Sequence, residues 1–379
     1  MTSLPSGSCS NLILTHPTAR EIHLIHALSS IPWAGALTED QYIENEQQLA
    51  SYLLGNSNGI THWILTEKYH PEKGRPILAS CETIPKRCFV KKRDGVLREG
   101  ITYGVAGVFC DPEMRGRGYA RMMMKELALV LRKGHVDGEV ENVGSVLWSD
   151  IGPKFYADLG WVPFPSTHIK LPAPRHSPAS KYVDGRAILG EDIESFCVDD
   201  EALLRSSMAS LETEKTILAL VPDHHTMLWH HKKEDYICQR LFGKQPRVKG
   251  AVVGGRRDRV WAIWTRSFYG SVDDPDAGNK LYILRLVVEN PSEDEFEEQA
   301  EKVKAVLQAA QDEAVYWKLG HVELWNPNEW MNKLIVRAGI KHRTVEQGRE
   351  GIPSLLWFGE GGGNQKEIEW VANEKYAWC

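Results

Sequence analysis

The stretch Gly107-Val108-Phe109-Cys110-Asp111-Pro112-Glu113-Met114-Arg115-Gly116-Arg117-Gly118-Tyr119-Ala120 decides the fold of this chain. Its first residues are apolar or small, as in a buried strand, and a helical pattern runs from Tyr119 to Lys133. Between them, Gly116 and Gly118 carry no Cβ, so several backbone N–H groups can point at one anion. The helix start adds roughly half a positive charge, which favours phosphate. The stretch therefore predicts a phosphate-binding loop between a strand and a helix.

The loop matches neither of the two best-known phosphate motifs. No Lys-Ser/Thr pair closes it as in a P-loop, and the G-x-G-x-x-G spacing of a dinucleotide-binding fingerprint is absent. An ordinary turn with glycine caps is the alternative that the loop alone leaves open. The segments that follow it are needed to decide between the two.

Two motifs in order provide that evidence. Arg115-x-x-Gly118-x-Ala120 resembles the pyrophosphate-binding R/Q-x-x-G-x-G/A motif of the GNAT superfamily of N-acetyltransferases. After a predicted strand at 145–149, the segment Phe155-Tyr156-Ala157-Asp158-Leu159-Gly160-Trp161 is similar to the second signature of the superfamily, a short helix carrying F/Y-Y-x-x-x-G-F/W. Their order and spacing are those of a GNAT domain.

The resemblance assigns roles to particular residues. It implies that the pyrophosphate of acetyl-CoA, the acetyl donor, binds to Arg115, Gly116, Arg117, Gly118, Tyr119 and Ala120. It also implies that the backbone of Val108, Phe109 and Cys110 binds the acetyl carbonyl and the pantetheine arm, where a backbone donor stabilises an oxyanion. Tyr156 matches the usual general acid, because a phenol of pKa about 10 can donate to a thiolate of pKa about 8.5. The alternative is that Tyr156 is a packed aromatic residue.

The general base is less well defined. The strand at 101–110 contains no Asp or Glu, so the strand carboxylate used by many GNAT enzymes is missing. Glu82 and Asp150 are candidates, with solvated or capping carboxylates as the alternative. A third candidate is the terminal carboxylate at Cys379, by similarity to the two-domain N-myristoyltransferases. It follows the Gly361-Gly362-Gly363 segment and an aromatic tail that could dock into the site.

Length and composition restrict the class of protein. A chain of 379 residues suggests two domains. A formal charge of −6 argues against nucleic acid as a partner and suits a cationic substrate. No apolar run is long enough to span a membrane, and seven scattered cysteines without C-x-x-C favour reduced thiols. We therefore expect a cytoplasmic protein without a membrane or nucleic-acid partner, and the sequence leaves its oligomeric state open.

The predicted elements of the first half follow the order of the GNAT fold. This order is strand, two helices, three strands, helix, strand, helix and strand. We expect an α/β (α+β) protein with a mixed central sheet flanked by helices over residues 1–170. The predicted segments are a strand at 11–15, helices after Thr18 and Thr38, strands at 62–66, 77–90 and 101–110, a helix at 119–133 and a strand at 145–149.

The second half repeats part of this pattern. Residues 171–181 contain three prolines and predict a linker. Beyond it we predict helices at 191–208 and 294–314 and strands at 248–253, 260–264, 281–289 and 321–325. The pairs Leu147-Trp148 and Leu324-Trp325 lie at equivalent places in the two halves. We interpret residues 182–379 as a degenerate GNAT-like domain that shapes the substrate pocket, with a chance similarity to an unrelated α/β domain as the alternative.

Two further features limit the binding sites. The loop at 291–295 of the second copy is acidic and contains no glycine, so it should repel a pyrophosphate, and we expect acetyl-CoA in the first half alone. His224-His225 and His230-His231 have a spacing that fits no zinc site. Their segment is expected to be partly exposed, and we predict no metal.

The resemblance narrows to one family. The segments 107–110, 115–123 and 146–156 resemble the fungal lysine N-acetyltransferase family, and this resemblance extends over most of the chain. It implies an acyltransferase that acetylates free L-lysine to N6-acetyl-L-lysine, a first step of lysine catabolism. The alternatives are a GNAT enzyme acting on another small amine, such as a polyamine or a metabolite, and a non-catalytic CoA-binding protein.

Overall fold

The chain forms two mixed β-sheets flanked by helices. The structure, a computed structural model, describes residues 4–54, 59–68, 74–133, 140–173, 185–346, 348–361 and 363–378. The elements of the first half are β1 (Leu12–Thr15), α1 (Ala19–Trp33), α2 (Glu39–Leu54), β2 (Thr61–Glu67), β3 (Ala79–Lys91), β4 (Leu97–Phe109), α3 (Tyr119–Arg132), β5 (Glu141–Ser149), α4 (Lys154–Ala157), β6 (Val162–Pro163) and β7 (Thr167–Pro172).

The second half begins after the proline-rich segment. Its elements are β8 (Gly185–Leu189), α5 (Ile193–Ser210), β9 (Thr216–Leu220), α6 (His224–Phe242), β10 (Val248–Val253), β11 (Val260–Ser267), β12 (Lys280–Val288), α7 (Phe296–Tyr316), β13 (His321–Trp325), α8 (Glu329–Arg337), β14 (Arg343–Glu346), β15 (Ile352–Trp357) and β16 (Ile368–Trp370). A short 3-10 turn, Lys375–Ala377, lies in the tail. None of the described helices is long and apolar enough to cross a membrane.

Local sequence signals explain most of the predicted boundaries. Thr18 caps α1 in a capping box with Glu21, which satisfies two amides at the helix start. Gly118, at φ +86°, is the N-cap of α3, whose apolar face is buried on the sheet. The sequence patterns missed α6, although Asp223 caps it by accepting a hydrogen bond from the Thr226 amide at 2.9 Å.

The histidine-rich segment is partly exposed, as expected, but two of its histidines are buried. His230 and His231 are 4% exposed, because α6 lies between β11 and the C-terminal tail. Their Nε2 atoms lie 3.0 Å from the Tyr376 carbonyl and 3.1 Å from the Trp264 carbonyl, respectively. Burial lowers the pKa of His231 to about 3 and that of His230 well below the usual range. Both rings are therefore neutral packing elements at physiological pH.

The two sheets have the same strand path. Sheet 1 runs β1-β2-β3-β4-β5-β15-β6, with β9 added to β3 and β16 to β9. Sheet 2 runs β8-β10-β11-β12-β13-β7-β14. In each path the pairing is antiparallel except at one step, β4 with β5 and β12 with β13, which is parallel. This repetition confirms that the second half is a copy of the first fold.

The copies exchange one strand. The strand that neighbours β5 in sheet 1 is β15, from the end of the chain, and the strand that neighbours β13 in sheet 2 is β7, from the first half. Leu171 and Pro172 therefore lie in β7 and not in a linker, while residues 174–184 lie outside the described part of the chain. The division into domains at 1–170 and 182–379 stays a prediction. A shared core, which includes Trp148 of sheet 1 and Trp325 of sheet 2, joins the two sheets.

The C-terminal tail closes the second copy. The Glu374 carboxylate accepts a hydrogen bond from the Leu286 amide of β12 at 3.0 Å and pairs with the buried Arg285 guanidinium. Arg285 also forms a two-point ion pair with Asp200, with N···O distances of 2.8 and 2.9 Å. The tail thus supplies one charge of a buried network beside the strand that corresponds to β4.

We predict that Glu374→Ala lowers the free energy of unfolding by about 3 kcal/mol, because it leaves Arg285 partly uncompensated and the Leu286 amide without its acceptor. Urea denaturation measures the change. Glu329→Ala is the matched control, since it removes a side chain that is 85% exposed and whose one ion pair within the described residues is with Lys333, and its midpoint should not move. Equal midpoints for both variants would show that the tail network does not stabilise the fold.

Candidate active site

A gap between two parallel strands forms the centre of the site. β4 and β5 pair from Gly100–Glu141 to Gly104–Val146, and no pairing follows although both strands continue. Beyond the last pair, β4 carries a bulge, because Ser80 pairs with Phe109 while Glu82 pairs with Ala106. Gly107 stands in this bulge at φ +58°, a left-handed conformation that glycine adopts without strain. The bulge exposes backbone groups at the edge of the gap.

The glycine loop lies just beyond the end of β4, at the start of α3. The first hydrogen bond of the helix runs from the Met122 amide to the Gly118 carbonyl. The backbone amides of residues 116–121, which precede it, donate to no acceptor among the described residues. Gly116 has φ +78°, and an added Cβ there would meet nothing within 4 Å. The loop therefore presents consecutive unpaired donors and open space at a helix N-terminus, as an anion site requires.

The N-terminal segment supports the loop from its carbonyl side. The Gly7 amide donates to the Arg117 carbonyl at 2.8 Å, and the Tyr119 hydroxyl donates to the Pro5 carbonyl. A Cβ on Gly7 would lie 2.6 Å from the Arg117 carbonyl oxygen, so this close approach requires glycine. The Arg115 side chain folds back, and its Nε donates to the Cys110 carbonyl at 3.0 Å. These contacts engage carbonyl groups and leave the amides available.

The neighbouring strand residues line the gap. Val108 and Cys110 are half-buried, and Phe109 is buried with its ring against Trp33 at 5.9 Å between centroids. The Cys110 thiol donates to the Leu78 carbonyl at 3.3 Å, and burial raises its pKa. Cys110 is thus a protonated structural thiol.

Gly116→Ala is predicted to weaken acetyl-CoA binding at least tenfold, because the new methyl group stands in the open space before the loop amides. Isothermal titration calorimetry with the purified protein measures the affinity. Gly95→Ala is the matched control, since Gly95 has φ +76° and also has nothing within 4 Å of an added Cβ, but lies in the β3–β4 hairpin. Similar affinities for both variants would contradict a role of the loop in binding.

Glu82 lies directly beneath the bulge. An added Cβ on Gly107 would be 3.6 Å from the Glu82 carboxyl carbon. Glu82 and His62 are register partners on β3 and β2, and the His62 Nδ1 lies 3.3 Å from the Glu82 carboxylate. The Nε2 of His26, on α1, lies 3.9 Å from the same oxygen. Neither ring nitrogen of His26, which is 3% exposed, has a hydrogen-bond partner in the described structure.

This arrangement keeps Glu82 ionised. Burial raises the pKa of the carboxyl, but the adjacent imidazoles of His26 and His62 outweigh burial and lower the pKa from 4.5 to about 2. Because the folded pKa is the lower one, the stability that this carboxylate contributes is present above about pH 4.5 and is lost as the pH falls toward 2. At neutral pH the group is a fixed negative charge with two imidazoles beside it.

The same three side chains have the composition of a metal site. Their ligand atoms lie within 4.8 Å of one another, and two imidazoles with a carboxylate can bind zinc. They can equally act as a proton relay in which the carboxylate orients a histidine. We predict no metal from the sequence, and the effect of EDTA on the rate distinguishes the two uses.

Tyr156 lies on the opposite face of sheet 1. It packs with Cys81 and with residues of α3 in one core, and it is 8% exposed. Burial, with the nearby Cys81 and Asp150, raises the pKa of its phenol, so the hydroxyl is protonated at neutral pH. The turn after α4 is fixed by the buried Trp161, whose indole donates to the Ser145 hydroxyl at 3.1 Å. The geometry is thus compatible with both a proton donor and a packed aromatic.

The other two candidate bases differ in position. Asp150 is exposed at the end of β5, and its carboxylate accepts a hydrogen bond from the Gly351 amide at 2.9 Å. Its carboxylate therefore has a capping contact at the mouth of the gap, by which we mean the end of β5 beyond its last pair with β4. Cys379 lies outside the described residues. The tail before it is docked, with Tyr376 completely buried and its hydroxyl donating to the Leu220 carbonyl at 2.7 Å.

The sequence analysis missed His26 and His62. His62 precedes a run of apolar strand residues, and the alignment of that strand with β3 is the signal that pairs it with Glu82. His26 is one residue on the buried face of α1. No sequence signal connects it with a carboxylate that lies on a strand far along the chain.

Comparison with known protein sequences gives one family and two relatives. Residues 168–379 match the family described as the LYC1 GNAT-like C-terminal domain. The chain is 23% identical over an alignment of 414 residues to a lysine acetyltransferase of Yarrowia lipolytica, covering 95% of this chain and 97% of that protein. It is also 23% identical over 336 residues to an uncharacterized protein of Saccharomyces cerevisiae, covering 79% of this chain and 80% of the relative.

Two solved structures share the fold. A probable N-acyltransferase from Enterococcus faecalis, itself of unknown function, has a TM-score of 0.54 at 13% identity, covering 91% of this chain and 71% of its own. A GCN5-related N-acetyltransferase from Kribbella flavida has a TM-score of 0.52 at 15% identity, covering 91% of this chain and 70% of its own. At these identities the likeness concerns the fold alone. The predicted fold class, a GNAT fold followed by a GNAT-like copy, is confirmed.

Proposed function

We infer the function from the premise that this chain belongs to the family of the LYC1 GNAT-like C-terminal domain, whose match covers more than half of the sequence. We propose that the protein is an acetyl-CoA-dependent N-acetyltransferase and that its acceptor is the N6 amine of L-lysine. The single observation that carries the proposal is the position of Glu82. Its carboxylate lies against Gly107 of the bulge, at the edge of the gap that leads to the unpaired amides of the glycine loop.

The proposed reaction uses both faces of sheet 1. An alkyl ammonium of pKa about 10.4 must lose a proton before it can attack, which costs about 4.6 kcal/mol at pH 7. Glu82 attracts the ammonium and orients the neighbouring imidazoles of His26 and His62, one of which takes the proton in its neutral form. The nitrogen then bonds to the acetyl carbon as the carbon–sulfur bond breaks. Tyr156 protonates the departing thiolate from the opposite face, and the second proton, which the nitrogen releases as the amide forms, restores the phenol.

The choice of lysine has a narrower basis. The Yarrowia lipolytica relative that matches nearly the whole chain is named a lysine acetyltransferase. The ionised Glu82 carboxylate at the proposed acceptor side suits a cationic amine. We place the reaction in the cytoplasm, in lysine catabolism; the six described cysteines are all free, as a reducing compartment favours. Acceptance of another amine is the main alternative.

We predict that Glu82→Gln lowers the turnover rate by roughly 100- to 10,000-fold, because glutamine keeps the shape of the side chain but removes the charge that draws in the ammonium and orients the histidines. The rate of CoA release with saturating acetyl-CoA and L-lysine measures the change, and the KM for acetyl-CoA should stay near the wild-type value.

Two controls accompany this variant. Glu141 lies at the start of β5 in the same sheet, and its exposed carboxylate pairs with Lys92. Glu141→Gln neutralises this carboxylate and should keep the wild-type rate. EDTA should leave the wild-type rate unchanged. A rate lost in EDTA and recovered with zinc would instead assign the His26, His62 and Glu82 cluster to a metal.

A panel of amines tests the proposed acceptor and the role of Tyr156 together. L-lysine should give the highest rate among amino acids and polyamines, and Tyr156→Phe should lower turnover by at least 100-fold with little loss of acetyl-CoA affinity. Tyr103→Phe is the control, since it removes a phenolic hydroxyl from the same core at the same 8% exposure. Background rates with L-lysine would refute the acceptor. Acetyl-CoA binding without turnover of any amine would favour a non-catalytic protein.

A further inference from the structure

Lys375 is a buried lysine without a counter-charge in contact. It is 4% exposed, and its Nζ lies 3.6 Å from the ring centroid of Trp378, 4.1 Å from that of Trp325 and 4.4 Å from that of Tyr282. No hydrogen bond or ion pair joins its ammonium to any described residue. Buried lysines are normally paired, and three aromatic faces offset only part of the lost hydration. The position therefore lacks an anion.

The surrounding charges do not fill this role. Burial lowers the pKa of Lys375 well below its usual range, while Asp150 and Glu323 act on it in the opposite direction from beyond ion-pair distance. The Glu323 carboxylate is already engaged by His168 at 3.2 Å and by Lys170 and Lys280 at 3.4 Å each. Lys280 and Lys233 add further positive charge near Lys375. The excess of positive charge around Lys375 favours a bound carboxylate. Such an anion would keep the Lys375 amine protonated.

Contacts connect Lys375 with the mouth of the gap. The Trp325 ring touches Gly351, since an added Cβ there would lie 3.0 Å from the ring. The Gly351 amide in turn donates to Asp150 at the end of β5. The aromatic wall around Lys375 is therefore continuous with the strand end that borders the site.

A second set of contacts leads to the acidic side of the site. Trp378 packs under the Lys233 ammonium of α6, 5.9 Å from the ring centroid. Burial raises the pKa of Glu46 on α2, and the charges of Lys233, Glu82 and His26 also act on this carboxyl. The site thus has a negative end at Glu82, beside the bulge, and a positive end at Lys233 of α6 and Lys375 of the tail.

We propose that Lys375, assisted by Lys233, binds the carboxylate of the acceptor, so that the enzyme selects free amino acids over amines without a carboxylate. This inference rests on the proposed acetyltransferase function. An acceptor with an ammonium at one end and a carboxylate at the other matches the polarity of the site. A polyamine would place a second positive charge beside Lys375 and Lys233.

Lys375→Met tests the proposal, because methionine keeps length and apolar contact with the three rings but removes the charge. The KM for L-lysine should rise roughly 10- to 100-fold, as expected for the loss of a charge-assisted contact. The KM for cadaverine, which is lysine without its carboxylate, should change less than twofold. Lys232→Met is the matched control, because Lys232 lies on α6 next to Lys233 but faces Tyr52, and this variant should leave both KM values unchanged.

The outcomes separate this inference from the proposed function. If wild type acetylates L-lysine and cadaverine with equal kcat/KM, or if Lys375→Met raises both KM values alike, the carboxylate subsite is wrong while the acetyltransferase stands. If no amine is acetylated by wild type, the proposed function itself fails. Should Lys375→Met not fold, Lys375→Arg keeps the charge, and its preference for L-lysine over cadaverine must stay at least tenfold.

Discussion

The separation of β4 from β5 is the constraint on which the rest of the site depends. Parallel strands that stop pairing after Gly104 and Val146 leave backbone groups without strand partners, and such groups are costly to bury unless a ligand or another segment satisfies them. The bulge at Gly107 turns β4 at this point. The glycine loop then begins where the gap ends, so the proposed donor site and the proposed reacting centre follow from one distortion of the sheet.

The second copy shows the same distortion with a different outcome. β12 and β13 stop pairing after Ile283 and Leu324, and β12 has its own register shift. Here the tail occupies the opening, and Glu374 accepts the Leu286 amide while it neutralises Arg285. The loop after β12 is acidic and exposed. In sheet 2, a segment of the chain thus pairs with backbone groups that the strand separation leaves without partners. In sheet 1, we propose that a ligand pairs with the corresponding groups.

The strand exchange and the docked tail make the two copies dependent on each other. β15 completes sheet 1 next to β5, and the same C-terminal region places Lys375 over the Trp325 ring. The second copy therefore contributes to the proposed acceptor pocket through its last residues and α6. The glycine loop and Glu82, in contrast, belong to the first half. The first half thus supplies the unpaired amides that the proposed donor site needs. The second half supplies charged side chains for the proposed acceptor site.

The sequence by itself determined the elements that depend on neighbouring residues. Glycines at fixed offsets between an apolar strand and an amphipathic helix predicted the loop and α3, and the repeated pattern after the prolines predicted the second copy. Only the tertiary structure brought His26 and His62 to Glu82, moved β7 and β15 into the other sheet, and placed Lys375 among three aromatic rings. These contacts join residues far apart in the chain. They follow from strand register and helix packing, which local patterns do not encode.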